Sequence, residues 1–200
     1  LAGELGADAI GLNLYSGSAR VIEVNQACEI IRRLPPFVEP VAVFVNETVA
    51  QIKATAIALP VNTVQIHGAL PEPVAFVFGE LRFIASFPVK EAVDLQSIGS
   101  YMEKSPTTDH QIAAVLIDAH VPGQYGGTGQ TAPWHLLADF KPGVPLILAG
   151  GLTPENVAEA IRIVRPYAVD VASGVESSPG KKDADKMRRF IDAVRTVSDP

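Results

Sequence analysis

The stretch from Val144 to Val175 most constrains what this chain can fold into. Its two ends are Leu146-Ile147-Leu148-Ala149-Gly150-Gly151 and Val169-Asp170-Val171-Ala172-Ser173-Gly174-Val175, short apolar runs that stop at glycine-containing turns. Between them Val157, Ile161 and Val164 recur at helical spacing behind Thr153 as N-cap and Pro154 as the first helical residue. The pattern is strand, helix, strand, with the strands parallel and the helix as the crossover. Glycines at the strand ends let the main chain approach an anion closely, and N–H groups beside a helix start favour negative charge. The expectation is a phosphate site built on Gly150, Gly151, Ser173 and Gly174.

The same alternation runs through the rest of the chain. Leu1 to Gly6 reads as the last turn of a helix ended by a glycine cap, and Asp8 to Leu14 as the strand after it. Helix Asn25–Leu34, strand Pro40–Val45, a helix opened by the Thr48/Gln51 capping box and strand Val61–Ile66 follow. A Pro71–Phe78 helix, strand Leu81–Phe87 and a helix over Glu91–Met102 with Ala92, Leu95, Ile98 and Met102 inward come next. After a polar loop over Lys104–Gln111, the run Ala113–Ile117 ends on Asp118. A glycine-rich loop, Gln124–Thr131, leads to a short helix, Trp134–Phe140, and Asp183–Val197 closes the chain as a helix. Seven short apolar strands alternating with helices predict an all-parallel sheet in one domain spanning 1–200. Seven βα units exceed the common doubly wound sheets and suit a (β/α)8 TIM barrel. The expectation is that its first strand and most of its first helix lie ahead of Leu1, and that a barrel lacking one strand has open edges.

Composition removes several function classes. Net charge is −6 with a pI near 5.2, which disfavours nucleic acid as the main partner. No apolar run approaches the ~20 residues of a membrane span. Cys28 is the single cysteine, so there is no intrachain disulfide and no cysteine-based zinc site; with no signal-like segment this points to a reducing cytoplasm. No metal and no cofactor are expected. The partner is a small phosphorylated molecule, and the chain is a monomer or a homodimer.

Particular side chains carry the chemistry. Asp118 closes an apolar strand, where partial desolvation suits a general acid; the bland alternative is an Asx turn. Arg20 follows the Ser16-Gly17-Ser18 turn after the strand Asp8–Leu14, so it either grips a carboxylate or is a solvated charge. His67 ends its strand as either a ligand contact or a structural histidine. Asp170, inside the last strand, must be paired or hydrogen-bonded and belongs to the site floor. Gly126-Gly127-Thr128-Gly129 lacks the spacing of nucleotide cradles and reads as a closing loop. Cys28, beside Ala27 on its helix, reads as packing.

Several segments in order match one family. They are Gly6-Ala7-Asp8-Ala9-Ile10-Gly11-Leu12, Ser18-Ala19-Arg20, Val43-Phe44-Val45-Asn46, Val64-Gln65-Ile66-His67-Gly68, Leu116-Ile117-Asp118 and Tyr125-Gly126-Gly127-Thr128-Gly129. Gly150-Gly151-Leu152-Thr153-Pro154-Glu155-Asn156-Val157 and Val169–Glu176 with Pro179-Gly180-Lys181-Lys182-Asp183 complete the set. Together they resemble phosphoribosylanthranilate isomerase over nearly the whole chain. The resemblance implies a TIM barrel of tryptophan biosynthesis that catalyses a cofactor-free Amadori rearrangement of N-(5-phosphoribosyl)anthranilate. It implies Asp118 as general acid, Arg20 on the anthranilate carboxylate, and amides of Gly150, Gly151, Ser173 and Gly174 on the phosphate. The family's base is a cysteine in a Lys-Ile-Cys-Gly-type motif at the end of strand one. No such segment is present, so the base is expected ahead of Leu1 and the chain as written is expected to be inactive. Two other phosphosugar barrels fit less well: the histidine-pathway isomerase carries two phosphate signatures, and ribulose-phosphate epimerase a His-rich metal set. A barrel that binds phosphosugars without turning them over is the non-enzymatic alternative.

Overall fold

The computed structural model describes residues 1–70, 81–104, 112–118 and 134–198. The Pro71–Phe78 helix and the glycine-rich loop at 124–131 lie outside the described residues. Seven parallel strands form one sheet in which sheet order follows chain order. That order, with helices between the strands, is the parallel-strand progression of a (β/α)8 barrel.

The chain divides into two compact units. The first comprises Leu1–Ser86 with Lys104–Ala113. It opens with α1 (Ala2–Leu5), stopped by Gly6 in the left-handed region as the sequence predicts. Strand β1 (Ala9–Asn13), helix α2 (Val24–Arg32), β2 (Glu39–Val45), α3 (Val49–Ala58) and β3 (Thr63–His67) follow. Helix α3 begins at the predicted capping box: Gln51 N–H donates to Thr48 Oγ1 at 3.3 Å and Thr48 N–H to Gln51 Oε1 at 3.2 Å. Ile52 and Ala56 are buried on one face of that helix and Leu59 at its C-cap, Ile52 and Leu59 each contributing about 2 kcal/mol of burial. Cys28 is half-buried on α2 with its Sγ 3.8 Å from the carbonyl oxygen of Ala58, a packing position.

The second unit comprises Phe87–Glu103 with Ala114–Pro200. Strands β4 (Arg82–Pro88) and β5 (Ile112–Asp118) straddle the division. Helix α4 (Ala92–Lys104), α5 (Trp134–Leu137), β6 (Leu146–Ala149), α6 (Val157–Val164), β7 (Ala168–Val169) and α7 (Ala184–Ser198) complete the alternation. Four consecutive residues of β5, Ala114 to Ile117, are buried, as expected of a parallel strand covered on both faces.

Four expectations need correction. Ala92 is exposed at the start of α4, and the buried positions there are Ile98, Tyr101 and Met102, because the helix runs on to Lys104 and its stripe turns with it. Lys104 is accordingly helical rather than loop. Helix α6 starts at Val157 with Asn156 as N-cap; Thr153 and Pro154 form a turn ahead of it, in which Asn156 Oδ1 accepts from Thr153 N–H at 2.8 Å. The last strand is only Ala168–Val169, since Ser173–Val175 winds into a single 3-10 turn. Beyond that turn lies a hairpin that the apolar pattern does not announce, β8 (Glu176–Ser178) and β9 (Lys181–Lys182), paired antiparallel.

Candidate active site

Strand register assembles the candidate site of the second unit. Asp118 of β5 is the register partner of Ala149 of β6, and Leu148 pairs with Val169 of β7. Asp170 N–H continues that ladder onto the Leu148 carbonyl at 2.8 Å. Asp118, Ala149 and Asp170 therefore form one row across three strand ends, with the two aspartates two strands, roughly 10 Å, apart. Asp170 lies just beyond β7 rather than inside it. The strand ends sooner than its apolar composition suggests because only two of its residues find ladder partners.

Directly past the row, Gly150 and Gly151 turn the chain with φ of 88° and 65°, a pair of left-handed conformations that side chains resist. Asn156 fixes this turn, donating from Nδ2 to the Gly151 carbonyl at 3.0 Å. Among the described residues no acceptor meets the N–H of Gly150 or Gly151. The Ser173–Val175 turn packs so closely on the neighbouring loop that a Cβ at Gly174 would sit 1.8 Å from the Leu152 carbonyl oxygen. Only glycine allows that approach.

Asp170 is open to solvent on one side, yet protein surrounds it on the others. That burial raises its carboxyl above the ordinary value; the Lys182 ammonium opposes the rise and the charge of Asp118 adds to it. Lys182 reaches the site from the hairpin, a residue that sequence reasoning took only as part of a motif. A charged pair of lysines after Pro179-Gly180 has no signal that distinguishes an inward one from a solvated one.

The first unit holds Arg20 and His67. Arg20 is half-buried in the loop after β1, its N–H bonded to Ser18 Oγ at 3.1 Å, and the loop returns to the strand end through Ile22 N–H on the Asn13 carbonyl at 2.9 Å. His67 is the last residue of β3, with its Nε2 2.8 Å from Gln65 Nε2. Asn46, at the end of β2, holds an unusual φ of 55°; its N–H donates to the His67 carbonyl at 3.0 Å and its Oδ1 accepts from Ala69 N–H at 3.0 Å. Sequence reading placed Asn46 in a motif without seeing this role. Among the described residues no group of three or more His, Cys, Asp or Glu side chains could hold a metal ion, and no helix is long and apolar enough to cross a membrane.

Strand-end acids beside glycine turns in a parallel sheet recur in many enzymes, and comparison with known proteins decides among them. The family model for N-(5'phosphoribosyl)anthranilate (PRA) isomerase matches residues 2–193. The chain belongs to this family. The N-(5'-phosphoribosyl)anthranilate isomerase of Geobacter metallireducens is 45% identical over 192 residues, covering 96% of this chain and 90% of that protein. The crystal structure of the Thermotoga maritima isomerase aligns at a TM-score of 0.85 and 40% identity, over 98% of this chain and 91% of that one. A second isomerase structure, in complex with reduced 1-(o-carboxyphenylamino)-1-deoxyribulose 5-phosphate, aligns at a TM-score of 0.82 and 36% identity, with the same coverage of both chains.

Proposed function

We propose that this chain carries the isomerase chemistry of tryptophan biosynthesis, converting N-(5-phosphoribosyl)anthranilate to 1-(o-carboxyphenylamino)-1-deoxyribulose 5-phosphate. One observation supports it above the others: Asp118 and Asp170 stand in a row beneath two glycine-built turns. In this reading amides at Gly150, Gly151, Ser173 and Gly174 grip the 5′-phosphate, as open N–H groups favour an anion. Asp118 donates its proton to the furanose ring oxygen, and the ring opens to a Schiff base. Removal of the C2′ proton then gives the enamine, which tautomerises to the ketose; atoms and electrons balance without a cofactor. Asp170, held close to Lys182, contacts the sugar; the family resemblance assigns Arg20 to the anthranilate carboxylate and His67 to a substrate contact.

The proton acceptor at C2′ is a cysteine in the family, and Cys28, packed against α3, does not fill that role. The chain is one barrel domain of the cytoplasm, its partner a phosphorylated small molecule rather than nucleic acid. It works as a monomer or a homodimer, for which Phe37, 97% exposed, offers an apolar contact.

Turnover on freshly generated substrate tests the scheme. Asp118→Asn should lower kcat about a thousandfold while product affinity stays near wild type. Loss of product affinity together with activity would make Asp118 a binding group.

A further inference from the structure

The Ser173–Val175 turn is held by something other than the sheet. Its strand, β7, stops at Val169, so the four residues from Asp170 to Ser173 approach the turn with a single ladder bond, Asp170 N–H to Leu148. The hairpin β8–β9 supplies the missing restraints. Lys182 Nζ donates to the Ala172 carbonyl at 2.7 Å and to Glu176 Oε1 at 3.2 Å. Ala172 is the residue at the entrance of the turn, and Glu176 the residue at its exit, where its N–H closes the turn on the Ser173 carbonyl. The Glu176 side chain is 4% exposed, whereas that of Lys182 is 42% exposed. A carboxylate that deeply buried requires a charged partner, and the ion pair with Lys182 provides it. The backbone at the exit is fixed again by Lys186 Nζ on the Glu176 carbonyl at 2.7 Å and by Asp183 N–H on the Val175 carbonyl at 2.8 Å.

We propose that Lys182 is a positioning residue for the phosphate turn, its ammonium clamping the Ala172 carbonyl to the buried Glu176 carboxylate so that the Ser173 and Gly174 amides keep their aim. The inference rests on the phosphate reading given above. Lys182 need not touch the ligand; it fixes both ends of the turn that does. Charge-assisted hydrogen bonds to a carbonyl and a carboxylate are strong enough for their loss to weaken ligand binding about tenfold or more.

Titration calorimetry with reduced 1-(o-carboxyphenylamino)-1-deoxyribulose 5-phosphate and its dephosphorylated counterpart separates the possibilities. The wild-type 200-residue chain should prefer the phosphorylated compound; equal affinity for the two sinks the phosphate reading itself. Given that preference, Lys182→Met should reduce the ratio of the two affinities about tenfold. The reduction should persist at about 1 M salt, where charges are screened beyond roughly 3 Å. A preference equal to wild type, or a deficit that disappears in salt, overturns the positioning role. Lys182→Met leaves Glu176 buried without its lysine at a cost in stability, so Glu176→Gln with Lys182→Met serves as the relieved variant. It should fold and still show the reduced preference. Recovery of wild-type preference in that double variant would mean that Lys182 only neutralises Glu176, and the proposal would fail.

Discussion

The two units end their strands in different ways. In the first, side chains occupy the backbone donors just past the strands: Asn13 Oδ1 accepts from Tyr15 N–H at 3.0 Å, Ser18 from Arg20, and Asn46 from Ala69. In the second, glycine turns follow the strands, and a distant hairpin, through Lys182, does the fixing. The first arrangement satisfies its amides internally and presents side chains, Arg20 and His67 among them. Past β6, the second leaves the N–H groups of Gly150 and Gly151 without an acceptor among the described residues. A carboxylate suits a forked guanidinium and a phosphate suits converging amides, so the two kinds of strand end are matched to different chemical groups.

The sharpest way to break this contrast is Gly174→Ala. A methyl group 1.8 Å from the Leu152 carbonyl oxygen forces the turn off its seat, so stability should fall by about 3 kcal/mol and phosphate-dependent affinity with it. Denaturant unfolding and the ligand pair used for Lys182 measure both; a variant with unchanged preference would show that this turn is not the anion site. Asn46→Ala is the counterpart in the first unit. It removes the acceptor of Ala69 N–H from a residue already in the left-handed region, and should cost about 1 kcal/mol. Preference for the phosphorylated ligand should stay at the wild-type level, and a loss there would erase the distinction between the units.

The smallest effect concerns pH. Burial raises the folded-state carboxyl of Asp170, whereas in the unfolded chain it titrates at its ordinary value. Between those two values the native state holds more protons, so stability falls as pH rises through that window and stays at the lower level above it. Asp170→Asn should remove this fall and melt above wild type at neutral pH, the gap closing towards acid. Thermal melts across the carboxylate range check it. A variant that melts lower at neutral pH would mean that the attraction of Lys182 outweighs burial.

Much of this arrangement was legible in the residues. Apolar runs located all seven strands, because a parallel strand covered on both faces must be apolar throughout, as Ala114 to Ile117 are. Gly6 and the Thr48/Gln51 box gave helix ends through local chemistry, which sequence records directly. The misreadings share a cause. Val169 and Val171 have strand composition, but whether a residue joins a ladder depends on a partner elsewhere in the chain, and β7 finds partners for two residues only. Likewise Thr153 and Asn156 both have capping side chains, and the choice between them is made by the turn that Gly151 imposes. The Glu176–Lys182 pair is legible only once the hairpin exists.

The brevity of β7 has a consequence for how the molecule breathes. Segments with few ladder bonds open at low free energy, independently of the global transition. Residues 170–175 should therefore exchange their amide hydrogens quickly while Leu148 and Val115 exchange slowly. A ligand seated on the Ser173 and Gly174 amides would slow exchange there first. The phosphate would then add, from outside the chain, to the restraint that the hairpin already gives this turn.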